Sequence, residues 1–246
     1  MNENARIGRP GPGVALVVAT ALLLGCGGAS DTDESAAGDR SQSVPTSMLS
    51  EGGTQQLPPA MEHSIDDLGF DRGDAEAPIK IVEFSDFGCG YCRRFHTETF
   101  PTLEEEWIDS GKVQWKYVTY ASGMFPNGLQ AAFAAECVGE QGQFEPMRTL
   151  LYERQQDWKN DDDPYSIFAG YAEEVGVDVP TYQSCLDEDR RRSRVRSGVL
   201  TGARLGVRGT PSFLVDGFPL VGAQPLDVWN DILTARMNEL ESAGQD

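Results

Sequence analysis

The sequence is short of positive charge, with 20 lysine and arginine residues against 39 aspartate and glutamate, a formal net charge of -19 over 246 residues. A surface of that sign repels a phosphate backbone, which argues against nucleic-acid binding and supports a solvated exterior. Histidine is scarce: His63 and His96 are the only two, which leaves few nitrogen ligands for a zinc site. Long apolar runs are missing as well. The most apolar stretch, residues 14–24, falls short of the ~20 residues of a membrane-spanning helix. There is no internal repeat, and this length accommodates one domain or two small ones with a buried core.

Five cysteines are present, Cys26, Cys89, Cys92, Cys137 and Cys185. Cys26 closes a segment in which Arg6 and Arg9 precede the apolar run and Gly25, the charged-then-apolar layout of a secretory signal. Leu23-Leu24-Gly25-Cys26 resembles the lipobox of bacterial lipoproteins. That resemblance implies a signal peptide over residues 1–25 and lipidation of Cys26, which would anchor the chain to a membrane on the extracytoplasmic side of the bacterial envelope. The alternative is an ordinary signal peptide with an incidental cysteine. Residues 26–60 are rich in Gly, Ser, Asp, Thr, Gln and Pro, too polar to offset the entropy of ordering, and read as a flexible tether. Export would place the other four cysteines where disulfides form.

Residues 79–85 are nearly continuously apolar, as expected of a strand covered on both faces. Cys89-Gly90-Tyr91-Cys92 follows at the expected start of a helix. Two thiols at this spacing can close a disulfide, and the free N–H groups of a helix N-terminus favour the Cys89 thiolate. Half of a zinc site and a structural disulfide are the alternatives. The helix is expected to reach about Thr99 and to be interrupted by Pro101. A capping box over Thr102 to Glu105 would then start a second helix, with Leu103 and Trp107 inward and Gly111 as terminator. Residues 113–118 alternate as a second strand, parallel to the first if the helix is a crossover. Residues 63–78 receive no firm element, only an apolar contact between Ile65 and Phe70.

Helical spacing continues from about residue 126 to 205, with Cys137 and Cys185 on the apolar faces of two different helices. The arginines from Arg190 to Arg196 follow Asp187, Glu188 and Asp189 and read as a solvated, ion-paired helix face. Gly198, Gly202 and Gly206 recur every four residues, suited to a close helix approach. Asp216-Gly217 between residues 212–215 and 218–221 signals a hairpin, and a last helix starts near Pro225 with Trp229 and Leu233 inward.

This order, with CGYC after the first strand, Glu83 six residues before Cys89 and Gly209-Thr210-Pro211 ahead of the hairpin, resembles the DsbA-like thiol-disulfide oxidoreductases of bacterial envelopes. The resemblance covers roughly residues 65–240. It implies an α/β, thioredoxin-like fold over residues 61–246, with a helical insertion between the second strand and the C-terminal hairpin. It also implies site roles: an exposed Cys89 that attacks, a buried Cys92 that resolves, and Glu83 beneath them to accept or relay a proton. Thr210 and Pro211 resemble the family's cis-proline loop, which with Gly90 and Tyr91 would meet an extended substrate. His96 could tune the site or be only a packed, satisfied side chain. Some members of the family carry a second pair of cysteines at similar places, which implies a structural disulfide between Cys137 and Cys185; two buried thiols are the alternative.

No metal and no cofactor is implied beyond the redox-active Cys89–Cys92 disulfide. The implied partners are exported proteins with cysteines and a membrane redox partner of unknown identity. Gly90-Tyr91 lacks the imidazole of strongly oxidising DsbA proteins, and CGYC with Thr before the cis-proline also occurs in DsbC-type isomerases. Those have a dimerisation domain for which residues 26–60 are too polar. The expectation is therefore a monomeric oxidase or general oxidoreductase. The alternatives are an isomerase or reductase, and a lipid-anchored binding or chaperone-like module with a structural or zinc-bound CxxC.

Overall fold

The computed structural model describes residues 63–244. The signal peptide, the tether and the lipidation of Cys26 were all assigned within residues 1–62, outside the described residues.

Strand β2 (Ile79–Ser85) lies at the centre of a five-stranded sheet of order β1-β3-β2-β4-β5, where β1 is Phe70–Arg72, β3 Val113–Thr119, β4 Ser212–Val215 and β5 Phe218–Val221. It pairs in parallel with β3, from Ile79 against Val113 to Ser85 against Thr119, and antiparallel with β4. Its two faces are both covered, as its composition requires. Ile79 and Ile81 pack with Trp115, Phe213 and Trp229, while Phe84 packs with Leu68, Val118 and Val207. Strand β1 runs antiparallel to β3 and was not anticipated. Three residues reading Phe-Asp-Arg are too few to display a period.

The crossover from β2 to β3 differs from expectation at Pro101. Helix α1 (Gly90–Arg94) passes into a π-helical turn, Phe95–Thr99, then α2 (Phe100–Leu103) and a second π turn, Glu104–Ile108. The chain stays helical because the wide turn ahead of Pro101 places the proline in the first turn of α2, where its missing N–H is not needed. No capping box forms. Thr102 lies inside α2, and the cap position is held by Thr99, whose side chain makes no cap hydrogen bond. Leu103 and Trp107 point inward as anticipated, and Gly111 ends the run with a φ of 77°.

The insertion comprises α3 (Gly128–Gly139), α4 (Phe144–Glu153), α5 (Gln155–Trp158), α6 (Pro164–Glu174), α7 (Val179–Asp187) and α8 (Arg192–Arg204). Its apolar faces close around Phe87, Cys89, Cys92 and Tyr117, so the CxxC is packed by the insertion as well as by the sheet. A disulfide joins Cys137 of α3 to Cys185 of α7 across 48 residues of sequence. Restricting a loop of that length in the unfolded chain stabilises the fold by about 2–4 kcal/mol. Denaturant unfolding of the Cys137→Ala/Cys185→Ala double variant should show a loss of about that size.

The glycines of α8 divide by role. A Cβ on Gly198 would lie 2.4 Å from the Thr119 carbonyl oxygen and one on Gly202 2.7 Å from the Tyr120 ring, whereas Gly206 ends the helix with a φ of 87°. The neighbouring arginines are largely ion-paired, Arg190 and Arg191 with Glu140, Arg192 with Asp189 and Arg194 with Glu136. Positive φ at both Asp216 and Gly217 makes the tight turn between β4 and β5, and α9 (Leu226–Ala243) buries Trp229 and Leu233 against the sheet.

Candidate active site

Past the end of β2 the chain turns through Asp86, Phe87 and Gly88 to Cys89, which is the N-cap of α1 with extended backbone angles. The turn is tied down from both sides. Asp86 Oδ1 accepts from the Gly88 N–H at 2.8 Å, and the Cys89 N–H donates to the Asp86 carbonyl at 3.0 Å. From α5, Gln155 Nε2 donates to the carbonyls of Phe87 at 2.6 Å and Cys89 at 3.1 Å. Facing the motif, the Thr210–Pro211 peptide bond is cis, and the Thr210 carbonyl oxygen lies 3.3 Å from Cys89 Sγ. Gly90 and Tyr91 are on the outside, Tyr91 at 63% exposure.

The expectation of an exposed Cys89 is not met. Cys89 is 1% exposed and Cys92 0%, because the first cysteine turns its sulfur under the Thr210 carbonyl and joins the apolar cluster of the insertion. The two thiols differ in acidity instead. That of Cys89 is lowered to about 6, foremost by the hydrogen bond from the Cys92 thiol, with burial opposing and the Thr210 side chain and the N–H groups of Cys92 and Tyr91 assisting. Burial, reinforced by the neighbouring Cys89, pushes the Cys92 thiol well above its ordinary value.

Glu83 is fully buried on β2, not an edge residue. Its Oε1 is 2.7 Å from His96 Nε2, and its Oε2 accepts from Trp115 Nε1 at 2.9 Å. Burial opposes its ionisation, but the contacts with His96, Ser85 and Arg148 prevail and lower its pKa. His96 is lowered as well, first by burial and then by Arg148, against the pull of Glu83. The pair therefore rests as a carboxylate and a neutral imidazole. Ser85 stands between this base and the resolving cysteine, interacting with both the Glu83 carboxyl and the Cys92 thiol. Its Oγ accepts from the Tyr152 hydroxyl at 3.1 Å, and Tyr152 in turn is 2.6 Å from the Tyr117 hydroxyl.

The structure thus brings Cys89, Cys92, Glu83, His96, Gly90, Tyr91, Thr210 and Pro211 to one place and sets Cys137 and Cys185 apart from it as a bonded pair. His63 is not among them; its Nε2 is 3.2 Å from Ser193 Oγ on α8. Among the described residues, no group of three or more His, Cys, Asp or Glu side chains is arranged to hold a metal ion.

Sequence reasoning missed Asp86, Ser85, Tyr152 and Arg148. Asp86 is raised to about 7, mainly by burial and further by the charge of Cys89, against the Gly88 N–H and Lys159. An acid inside the apolar run before CxxC was a visible signal for it. For Arg148 the signal was a charge four residues after Phe144, on the apolar face of α4.

Comparison with known proteins agrees with the fold. The family model described as thioredoxin matches residues 69–235. The probable disulfide bond formation protein D of Bacillus anthracis is 30% identical over 151 residues, covering 59% of this chain and 68% of that protein. The Na(+)/H(+) antiporter NhaA 3 of Salinispora tropica is 32% identical over 148 residues, 59% of this chain and 21% of the antiporter. The chain thus spans about a fifth to a quarter of the length of the antiporters it matches, and among the described residues no helix is long and apolar enough to cross a membrane. Among solved structures, oxidised BdbD of Bacillus subtilis superposes with a TM-score of 0.61 at 22% identity, covering 68% of this chain and 92% of that one. DsbA of Chlamydia trachomatis gives 0.63 at 19%, covering 76% and 98%.

Proposed function

Because the chain belongs to the thioredoxin family, in its DsbA-like form with a helical insertion, we propose that it is a thiol-disulfide oxidoreductase that exchanges disulfides with cysteine-containing proteins through Cys89 and Cys92. The observation that carries this reading is the unequal acidity of two adjacent thiols, one lowered to about 6 and the other raised well above the ordinary range.

In the oxidising direction a substrate thiolate attacks Cys89 Sγ of the Cys89–Cys92 disulfide. The S–S bond breaks, its electron pair goes to Cys92, and a mixed disulfide joins Cys89 to the substrate. The strongly basic Cys92 thiolate takes up a proton. A second substrate thiolate then attacks the substrate sulfur and expels the Cys89 thiolate, leaving the substrate oxidised and the enzyme as dithiol. Regeneration runs through Cys89 attack on an oxidised partner and then attack by Cys92 on the resulting mixed disulfide, for which Cys92 must lose its proton toward Ser85 and Glu83.

The acidity of Cys89 favours the oxidising direction. At pH 7 a thiol pKa of about 6 rather than 9 raises the thiolate fraction from about 1% to about 90%, but lower basicity takes back roughly 20-fold in nucleophilicity. As an attacking group Cys89 gains only about fivefold, whereas as a leaving group it gains by its full loss of basicity. An insulin-reduction assay paired with metal analysis tests the activity. Turnover dependent on Cys89 is expected, and one zinc per chain with undiminished activity in Cys89→Ser would refute it.

The proposed setting is the extracytoplasmic side of a bacterial membrane, as a lipid-anchored monomer re-oxidised by a membrane partner. The Cys26 motif supports it. Cys26→Ala should move the protein from the membrane to the soluble fraction after detergent-free lysis; retention in the membrane would show that Cys26 is not the anchor.

A further inference from the structure

Building on the disulfide-exchange reading above, we infer that Arg148, from the helical insertion, is a positioning residue for that reaction: it fixes His96 as a neutral Nε2–H donor and thereby holds Glu83 as the base for Cys92. The available donors decide the tautomer. A guanidinium has only N–H donors, and Arg148 Nη1 lies 3.2 Å from His96 Nδ1. Nδ1 must therefore offer its lone pair. The ring proton is then on Nε2, which faces Glu83 Oε1 at 2.7 Å. Turning the ring over would break both bonds, and the imidazole is stacked on Tyr152 with centroids 4.4 Å apart and planes at 8°.

Arg148 is itself held. Its side chain is 6% exposed, its Nη2 pairs with Glu145 Oε2 at 2.6 Å, and its guanidinium lies over the Phe100 ring at 4.3 Å. The charged and titratable groups facing the Glu83–His96 pair are Arg148 and Tyr152 of α4, Glu104 of the second π turn and Tyr117 of β3; Cys92 of α1 is linked to Glu83 through Ser85. Glu104 favours a charged imidazole; Arg148 opposes it.

An open cleft of about 390 Å³, lined by Arg93, His96, Pro101, Glu104, Arg148 and Glu153, connects this cluster with solvent. Protons from water can therefore reach His96, and burial together with the Arg148 guanidinium on Nδ1 keeps that nitrogen bare. Without it the imidazole would gain a proton beside the Glu83 carboxylate, and a cation hydrogen-bonded to Glu83 would weaken that base more than the guanidinium that now also lowers it. Thr210, Pro211 and Tyr91 do not line this cleft, so the device sits apart from the loop that faces Cys89.

The test compares wild type with Arg148→Met, which keeps an unbranched stem over Phe100, and Arg148→Lys, which restores the charge and a donor. The ¹⁵N shifts of His96 report its tautomer, and the decay of a Cys89–glutathione mixed disulfide reports the Cys92 step. Wild type should show a neutral Nε2–H tautomer at about pH 7. In Arg148→Met the ring should take up its proton at higher pH than in wild type, and the Cys92 step should slow about tenfold at acidic pH, recovering as pH rises. Alkylation of Cys89 should stay within about twofold, and Arg148→Lys should regain most of the loss. A wild-type Nδ1–H tautomer would overturn the inference, even if Arg148→Met does not fold. So would an Arg148→Met protein with unchanged His96 shifts and pH profile. Were wild type inactive on protein disulfides, the functional reading would fail while these two readouts still decided this one.

Discussion

Cys89→Ser is expected to abolish disulfide exchange, reducing thiol-driven insulin reduction to the uncatalysed background. A serine hydroxyl cannot form the mixed disulfide, and among the described residues no other thiol can stand in. The Cys92 thiol is held well above its ordinary pKa and so carries little thiolate, while Cys137 and Cys185 are bonded to each other. Cys92→Ser should behave differently: the first exchange proceeds, but the mixed disulfide on Cys89 is not resolved and accumulates. Mass analysis after exposure to glutathione separates the two, with an adduct of one glutathione on Cys92→Ser and none on Cys89→Ser. The pH dependence has a definite sign. Thiolate is the reactive form, so alkylation of Cys89 should rise with pH through about 6 and level off near neutrality, where an ordinary cysteine is only beginning to react.

Glu83→Gln should leave that first step largely intact and slow the second by about 100-fold near pH 7, the low end of what a positioned base contributes. The amide cannot take a proton. The carboxylate that can is kept ionised by His96, Ser85 and Arg148 despite complete burial. Because solvent base substitutes as pH rises, the deficit should shrink toward alkaline pH. Rapid-quench measurement of mixed-disulfide decay in both proteins checks this. A uniform loss at all pH values would instead indicate a packing role for Glu83.

How much of this was legible in the sequence depended on the range of the forces involved. Strands β2, β4 and β5 and the Asp216-Gly217 turn were readable because each is set by local pattern and turn chemistry. The boundary at Pro101 was not. Proline's helix-breaking tendency is local, and here a five-residue π turn ahead of it accommodates it. The exposure of Cys89 was misjudged because what covers it, the Thr210 carbonyl, is 121 residues away in sequence. Glu83 was picked out by its place in a buried strand, but its partners are tertiary. For His96 the sequence left tuning of the site and simple packing both open, and Arg148, 52 residues further on, becomes its neighbour only when the insertion folds back over the crossover.

The CGYC motif can be assigned to exchange or to structure by one number, the reduction potential of the Cys89–Cys92 pair from equilibration with glutathione. A two-electron equilibrium with a potential above the roughly -270 mV of thioredoxin and toward the roughly -120 mV of DsbA is predicted, in keeping with a Cys89 thiolate stabilised at neutral pH. A potential below about -300 mV, the range of inert structural disulfides, would contradict the account.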